Sequence, residues 1–171
     1  MKRSLQIALI AAAITVMSAC HNHSENVQTD EQLQETAAQD NTMTSSTPKI
    51  KTGEVNVINE DKFIAWITDV DNDKGFQYKG DMPAIVDCYA DWCRPCHAIN
   101  PIMVELAKKY EGKIIIYKLN VDKAARVSKA FEISSIPSLL FFKPNAQPVK
   151  LVGAQPQENY ERAINELLLN E

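Results

Sequence analysis

Along residues 49–171 the apolar positions switch between a period of two and a period near 3.6, and the switches predict a sequence of elements. Val55-Asn56-Val57-Ile58 reads as a short strand. Asn59 then offers a side-chain acceptor to the first free N–H groups of a helix. Glu60 and Asp61 place negative charge in its first turn, and Phe63, Ile64, Ile67 and Val70 recur on one face. Asp71 to Asp81 is a polar, Gly-containing loop. Ala84 to Ala90 is almost continuously apolar, the pattern of a strand covered on both faces. From about 94 to 110 the helical period returns, with Ile99, Ile102, Met103, Leu106 and Tyr110 inward and Pro101 inside. Ile114 to Val121 predicts a strand and Ala124 to Phe131 a short helix. Ser138 to Lys143 and Val149 to Val152 predict two strands joined by Pro-Asn-Ala-Gln-Pro as a hairpin. Tyr160, Ile164, Leu167 and Leu168 mark a final amphipathic helix. The order β-α-β-α-β-α-β-β-α predicts an α/β three-layer sandwich, a mixed central sheet with helices on both faces. Its 123 residues suffice for one sizeable core.

The first 48 residues have a different character. Lys2 and Arg3 precede an apolar run from Leu5 to Val16, shorter than the roughly 20 residues that span a bilayer. Residues 1–19 therefore read as an export signal. Val16-Met17-Ser18-Ala19-Cys20 resembles the bacterial lipobox, with Met where Leu is usual, and implies that Cys20 becomes the lipidated first residue of the mature chain. A plain secretory signal, leaving Cys20 free, is the alternative. Either way the domain meets a compartment where disulfides can form. Residues 20–48 hold the lipidation Cys and a Gln/Thr/Ser/Asn-rich tether without aromatics. As a coil, its 28 residues after Cys20 reach roughly 30 Å. His21 and His23 read as solvated bystanders rather than metal ligands.

Charge narrows the class further. The 171 residues carry 18 Lys+Arg against 22 Asp+Glu, and loss of Lys2 and Arg3 with the signal leaves 16 against 22, a net −6. Nucleic acid is excluded as a partner, because neutralising phosphates takes a basic surface. An anionic bilayer would not attract this domain either, so membrane contact is expected through the lipid anchor. Four cysteines, at 20, 88, 93 and 96, are too few for a disulfide scaffold.

The chemistry gathers at Cys93-Arg94-Pro95-Cys96. Two cysteines three apart, just after a buried strand and at a helix start, share one face within disulfide reach. Cys93 sits where the helix presents unpaired N–H groups and partial positive charge, which favours its thiolate. Cys96, a turn further in, is expected to be more buried and suits the role of resolving thiol. Pro95 stiffens a first turn that needs no donor from it, and Arg94 adds a cation. With His97 the run also matches Cys-x-x-Cys-His, the signature of covalent haem attachment. Against haem stand the preceding buried strand and a helix already accounted for by packing.

The stretch Val86-Asp87-Cys88-Tyr89-Ala90-Asp91-Trp92-Cys93-Arg94-Pro95-Cys96 resembles the active-site segment of the thioredoxin family. Pro101 matches that family's helix-kinking proline, and Lys118-Leu119-Asn120-Val121-Asp122 the end of its next strand. Ile133-Ser134-Ser135-Ile136-Pro137-Ser138 is similar to the segment bearing its cis-proline, and Val152-Gly153-Ala154 to its last strand. The resemblance implies a thiol–disulfide oxidoreductase with Cys93 as nucleophile and Cys96 as resolving thiol. It implies Asp87 as the buried acid/base for Cys96, with Lys118 beside it; a structural Asp87–Lys118 ion pair is the alternative. Pro137 is implied to be cis, leaving the Ile136 backbone free for an extended substrate, with Trp92, Arg94 and Pro95 around the same groove. No bound cofactor is implied beyond the redox-active disulfide. The expected setting is the cell envelope, with a lipid-anchored reductase facing its disulfide-containing proteins and fed by a membrane electron donor. An oxidase or isomerase, or a peptide-binding module without turnover, are the competing readings. Arg94 and His97 depart from the usual Gly and Lys, Ser135 replaces a Gly, and Cys88 stands where an aromatic is usual, read as a small buried hydrophobe.

Overall fold

The computed structural model describes residues 50–71 and 75–170. Residues 1–49, with the expected signal, Cys20 and the expected tether, lie outside the described residues. Five strands form one sheet: β1 (Val55–Ile58), β2 (Ala84–Tyr89), β3 (Ile115–Asn120), β4 (Ser138–Phe142) and β5 (Val149–Val152). Their spatial order is β1-β3-β2-β4-β5. β1 and β2 both run parallel to β3, whereas β4 is antiparallel to β2 and β5 to β4. The helices are α1 (Glu60–Trp66), α2 (Arg94–Lys109), α3 (Ala125–Ala130) and α4 (Gln157–Ala163), with a 3-10 turn at Val121–Lys123. The expected mixed three-layer sandwich is the observed one.

Burial explains the patterning. Central strand β2 is buried from Ala84 to Cys88, because side chains pointing either way meet a core. On one face Val86, Cys88, Leu140 and Phe142 pack against Phe63 of α1 and Val127 of α3. On the other, Ile85, Ile116, Leu139 and Phe141 pack against Ile99, Met103 and Leu106 of α2 and Tyr160 of α4. Ile102 and Leu167, expected inward, are half-buried at the edge of this second core. The last helix is not uniform: after Ala163 it widens into a π-helix over Ile164–Leu169, which keeps Ile164 and Leu168 buried.

Two expectations need correction in the segment between α1 and β2. The first helix stops at Trp66, so Val70 is not on its face. Buried Thr68 accepts the Gln77 N–H at 3.0 Å through its hydroxyl, and the Ile67 carbonyl accepts the Lys79 N–H at 2.8 Å. These bonds turn the chain out of the helix and against the returning segment. That segment is also no plain polar loop. Phe76 stacks on Phe131 with centroids 4.1 Å apart, and Tyr78 lies 5.5 Å from Phe142. Phe76 and Tyr78 alternate with Gln77 and Lys79, a period of two too short to stand out among polar neighbours. The result is a strap over the first core.

Asn59 caps α1 as expected: its side-chain oxygen accepts the Lys62 N–H at 3.0 Å. Asn59→Ala should lower stability by about 1 kcal/mol, read as a shift in the urea midpoint at unchanged slope. An unchanged midpoint would mean that solvent satisfies this helix end equally well.

Candidate active site

β2 carries Asp87 in the middle of the sheet and hands the chain through Ala90, Asp91 and Trp92 to the start of α2. Cys93 is the N-cap of that helix, and its sulfur accepts the Cys96 N–H at 3.2 Å. The Cys93 and Cys96 sulfurs are bonded at 2.10 Å, with Cα atoms 5.3 Å apart. A sulfur at this position collects the partial positive charge of the helix start, which a thiolate would feel most strongly. Cys93 is 3% exposed and Cys96 1%. The expected difference in depth is therefore slight, and the N-cap position is what distinguishes the two sulfurs. Ala90 is buried with them, and Tyr89, Val121 and Ile136 pack against the group.

The turn before Cys93 is held from two sides. From β3, Asn120 donates through its amide to the Asp91 carboxylate at 3.1 Å and accepts the Asp122 N–H at 2.9 Å. Asp122 in turn accepts the Trp92 indole N–H at 2.9 Å. From α2, the His97 Nε2 lies 2.8 Å from the Asp91 carbonyl, as donor in the Nε2–H tautomer. Trp92 is thus pinned at its nitrogen while 70% exposed, a fixed apolar platform beside the disulfide. Arg94, Pro95 and His97 are exposed around it. Haem attachment does not fit this arrangement: both sulfurs are buried, and the nitrogen that would reach a metal is turned onto Asp91.

Across from the disulfide the Ile136–Pro137 peptide bond is cis. The Pro137 carbonyl accepts the Gly153 N–H at 2.8 Å, and the Ser138 hydroxyl donates to the Ser135 carbonyl at 2.7 Å. The β2–β4 ladder begins at Ser138, so Ile136 lies beyond it. No turn or loop bond engages the Ile136 main chain among the described residues. An extended polypeptide would find those groups available.

Asp87 is fully buried, and neither carboxylate oxygen has a hydrogen-bond partner. Burial pushes its pKa from 3.8 up to about 6, against a partial downward pull from the Lys118 charge. Asp87 and Lys118 are register partners on β2 and β3. They do not form a contact ion pair, so that alternative is corrected. The Lys118 ammonium donates to the Asn100 side-chain oxygen and lies 4.2 Å from the centre of the Tyr89 ring. Cys88, on the opposite face, is a free buried thiol whose pKa burial pushes up, in keeping with a small packed hydrophobe.

Asn100, Asn120, Asp91 and Asp122 were not among the expected site residues. One signal for Asn100 is local: a poor helix former on α2, immediately before Pro101. The others are polar residues at or just past strand ends whose partners are distant in sequence, so no local pattern reveals their role. Among the described residues no group of His, Cys, Asp or Glu could hold a metal ion, and no helix is long and apolar enough to cross a membrane.

Cysteines joined at a helix N-terminus beside a cis-proline, on this mixed sheet, define a thiol–disulfide exchange domain. Comparison with known proteins agrees. The thioredoxin family profile matches residues 67–166. A thioredoxin of Borreliella burgdorferi is 38% identical over 109 residues, 64% of this chain and 93% of its own length. The M-type chloroplastic thioredoxin of Spinacia oleracea is 33% identical over an alignment covering 96% of each chain. A Staphylococcus aureus thioredoxin is 42% identical over 106 residues, 98% of its length. The chain belongs to the thioredoxin family, whose chemistry is protein-disulfide oxidoreduction.

Proposed function

We propose that the protein is an exported, lipid-anchored oxidoreductase that reduces disulfides of cell-envelope proteins. The observation that carries the redox role is the Cys93 sulfur at the N-cap of α2, bonded to Cys96 and accepting its N–H. In the reduced protein, the Cys93 thiolate attacks one sulfur of a substrate disulfide. A Cys93–substrate disulfide forms and the other substrate sulfur leaves as a thiolate. Asp87 takes the proton of the Cys96 thiol, directly or through water. The Cys96 thiolate then attacks Cys93, forming the Cys93–Cys96 disulfide and releasing the second substrate thiolate. Two electrons pass to the substrate, and a dithiol of a membrane partner must return them. Trp92, Arg94, Pro95, Ile136 and Pro137 would frame the substrate strand, and Lys118 would steady the charge at Asp87. Export and anchoring rest on Lys2, Arg3, the run from Leu5 to Val16, and Cys20. No bound cofactor enters this cycle.

Arg94 favours a second reading, an oxidase or isomerase of the same fold, because a cation near the reduced thiolate makes the couple more oxidising. The reduction potential of the Cys93–Cys96 pair, equilibrated against glutathione or dithiothreitol, decides between them. A value near −270 mV, about that of thioredoxin, is expected for a reductase. A value near −120 mV, about that of strong oxidants, would overturn the direction.

A further inference from the structure

We propose that Asn100 is a positioning residue for Asp87: by holding the Lys118 ammonium, it leaves the buried carboxylate without a cation in contact. This rests on the reading of Asp87 as the proton acceptor for Cys96. A lysine placed opposite a buried carboxylate on adjacent strands is expected to pair with it, since an unpaired buried charge is costly. Here that pairing is forgone. The Lys118 ammonium is taken up by Asn100, which stands one turn beyond Cys96 on α2, and by the face of Tyr89. Both Asp87 oxygens remain without partners.

The other groups around Asp87 do not supply a substitute cation. β4 presents Leu139 at the register position opposite, which is apolar. From α4, Tyr160 accepts the Gln155 N–H and stays neutral, burial raising its pKa. On β2 itself, the Cys88 thiol is held protonated by burial and Tyr89 is likewise raised. α2 carries the disulfide, which does not titrate while bonded. Lys118 is the charge that acts on Asp87, and where its ammonium rests sets how strongly it acts. A carboxylate that is to accept a thiol proton needs to remain a useful base. A contact ion pair would hold it ionised and weaken it in that role.

The test is a carbon-13 NMR titration of the Asp87 carboxyl in the oxidised full chain, which needs no turnover. In Asn100→Ala, Lys118 is free to turn onto Asp87, and the midpoint should fall by about one pH unit or more. Asn100→Asp keeps an acceptor for Lys118, so its midpoint should be as high as the parent's or higher. Lys118→Met should raise the midpoint, and adding Asn100→Ala to it should change nothing more. An unchanged midpoint in Asn100→Ala would overturn the proposal. So would an equal fall in the Lys118→Met background, because the effect would then bypass Lys118. Should Asp87 prove dispensable for turnover, the proton-acceptor reading would fail while this titration still reports on Asn100.

Discussion

Replacing Asp87 by Asn should make the protein more stable and less active in one step. In the folded chain the carboxyl titrates near 6 rather than 3.8, because burial disfavours its charged form and no hydrogen bond compensates. The native state therefore holds this proton more tightly than the unfolded chain does. That contribution to stability is complete below about pH 3.8 and is lost as pH rises through about 6. At pH 8 the buried anion costs about 3 kcal/mol. Asn cannot ionise, and it closely matches the protonated acid in size. In urea titrations the variant should exceed the parent by about 3 kcal/mol at pH 8 and coincide with it near pH 3. Parallel pH profiles would show that Asp87 is better solvated than its burial indicates. Turnover should move the other way. Losing a positioned base costs on the order of 100-fold, and the loss should fall on the step in which Cys96 becomes a thiolate, not on the first attack by Cys93.

Cys96→Ser should turn a turnover enzyme into a trap. The Cys93 thiolate keeps its place at the N-cap and still attacks, but nothing remains to resolve the mixed disulfide. Adducts sensitive to dithiothreitol should accumulate on non-reducing gels while steady-state reduction falls to the rate of buffer thiols. The two sulfurs are similarly buried, so the assignment of nucleophile rests on helix position rather than access. Trapping by Cys93→Ser instead of Cys96→Ser would reverse the two roles. Retained peptide binding without covalent adducts in Cys96→Ser would favour a binding module over an enzyme.

Sequence alone determines a good part of this protein. The two-sided apolar run of β2, the cap at Asn59, the inward faces at Ile99, Met103, Leu106 and Tyr160, and the cysteine pair opening α2 are all legible. Each depends on residues within a turn or two of one another, where periodicity and capping act. The resemblance carried by Trp92, Lys118 and Ile136-Pro137 extends this to the cis peptide bond and to Lys118 opposite Asp87, but not to the contacts of Asn100, Asn120 and Asp122. Tertiary structure decides what local rules do not reach. Whether Lys118 pairs with Asp87 or with Asn100 depends on how closely α2 approaches β3. Whether residues 75–82 form a loop or a strap depends on Phe131 and Phe142 lying beneath Phe76 and Tyr78. A side chain with several possible partners takes the one that packing brings nearest, and for Asp87 it is burial, also a tertiary matter, that dominates its pKa while Lys118 offsets it in part.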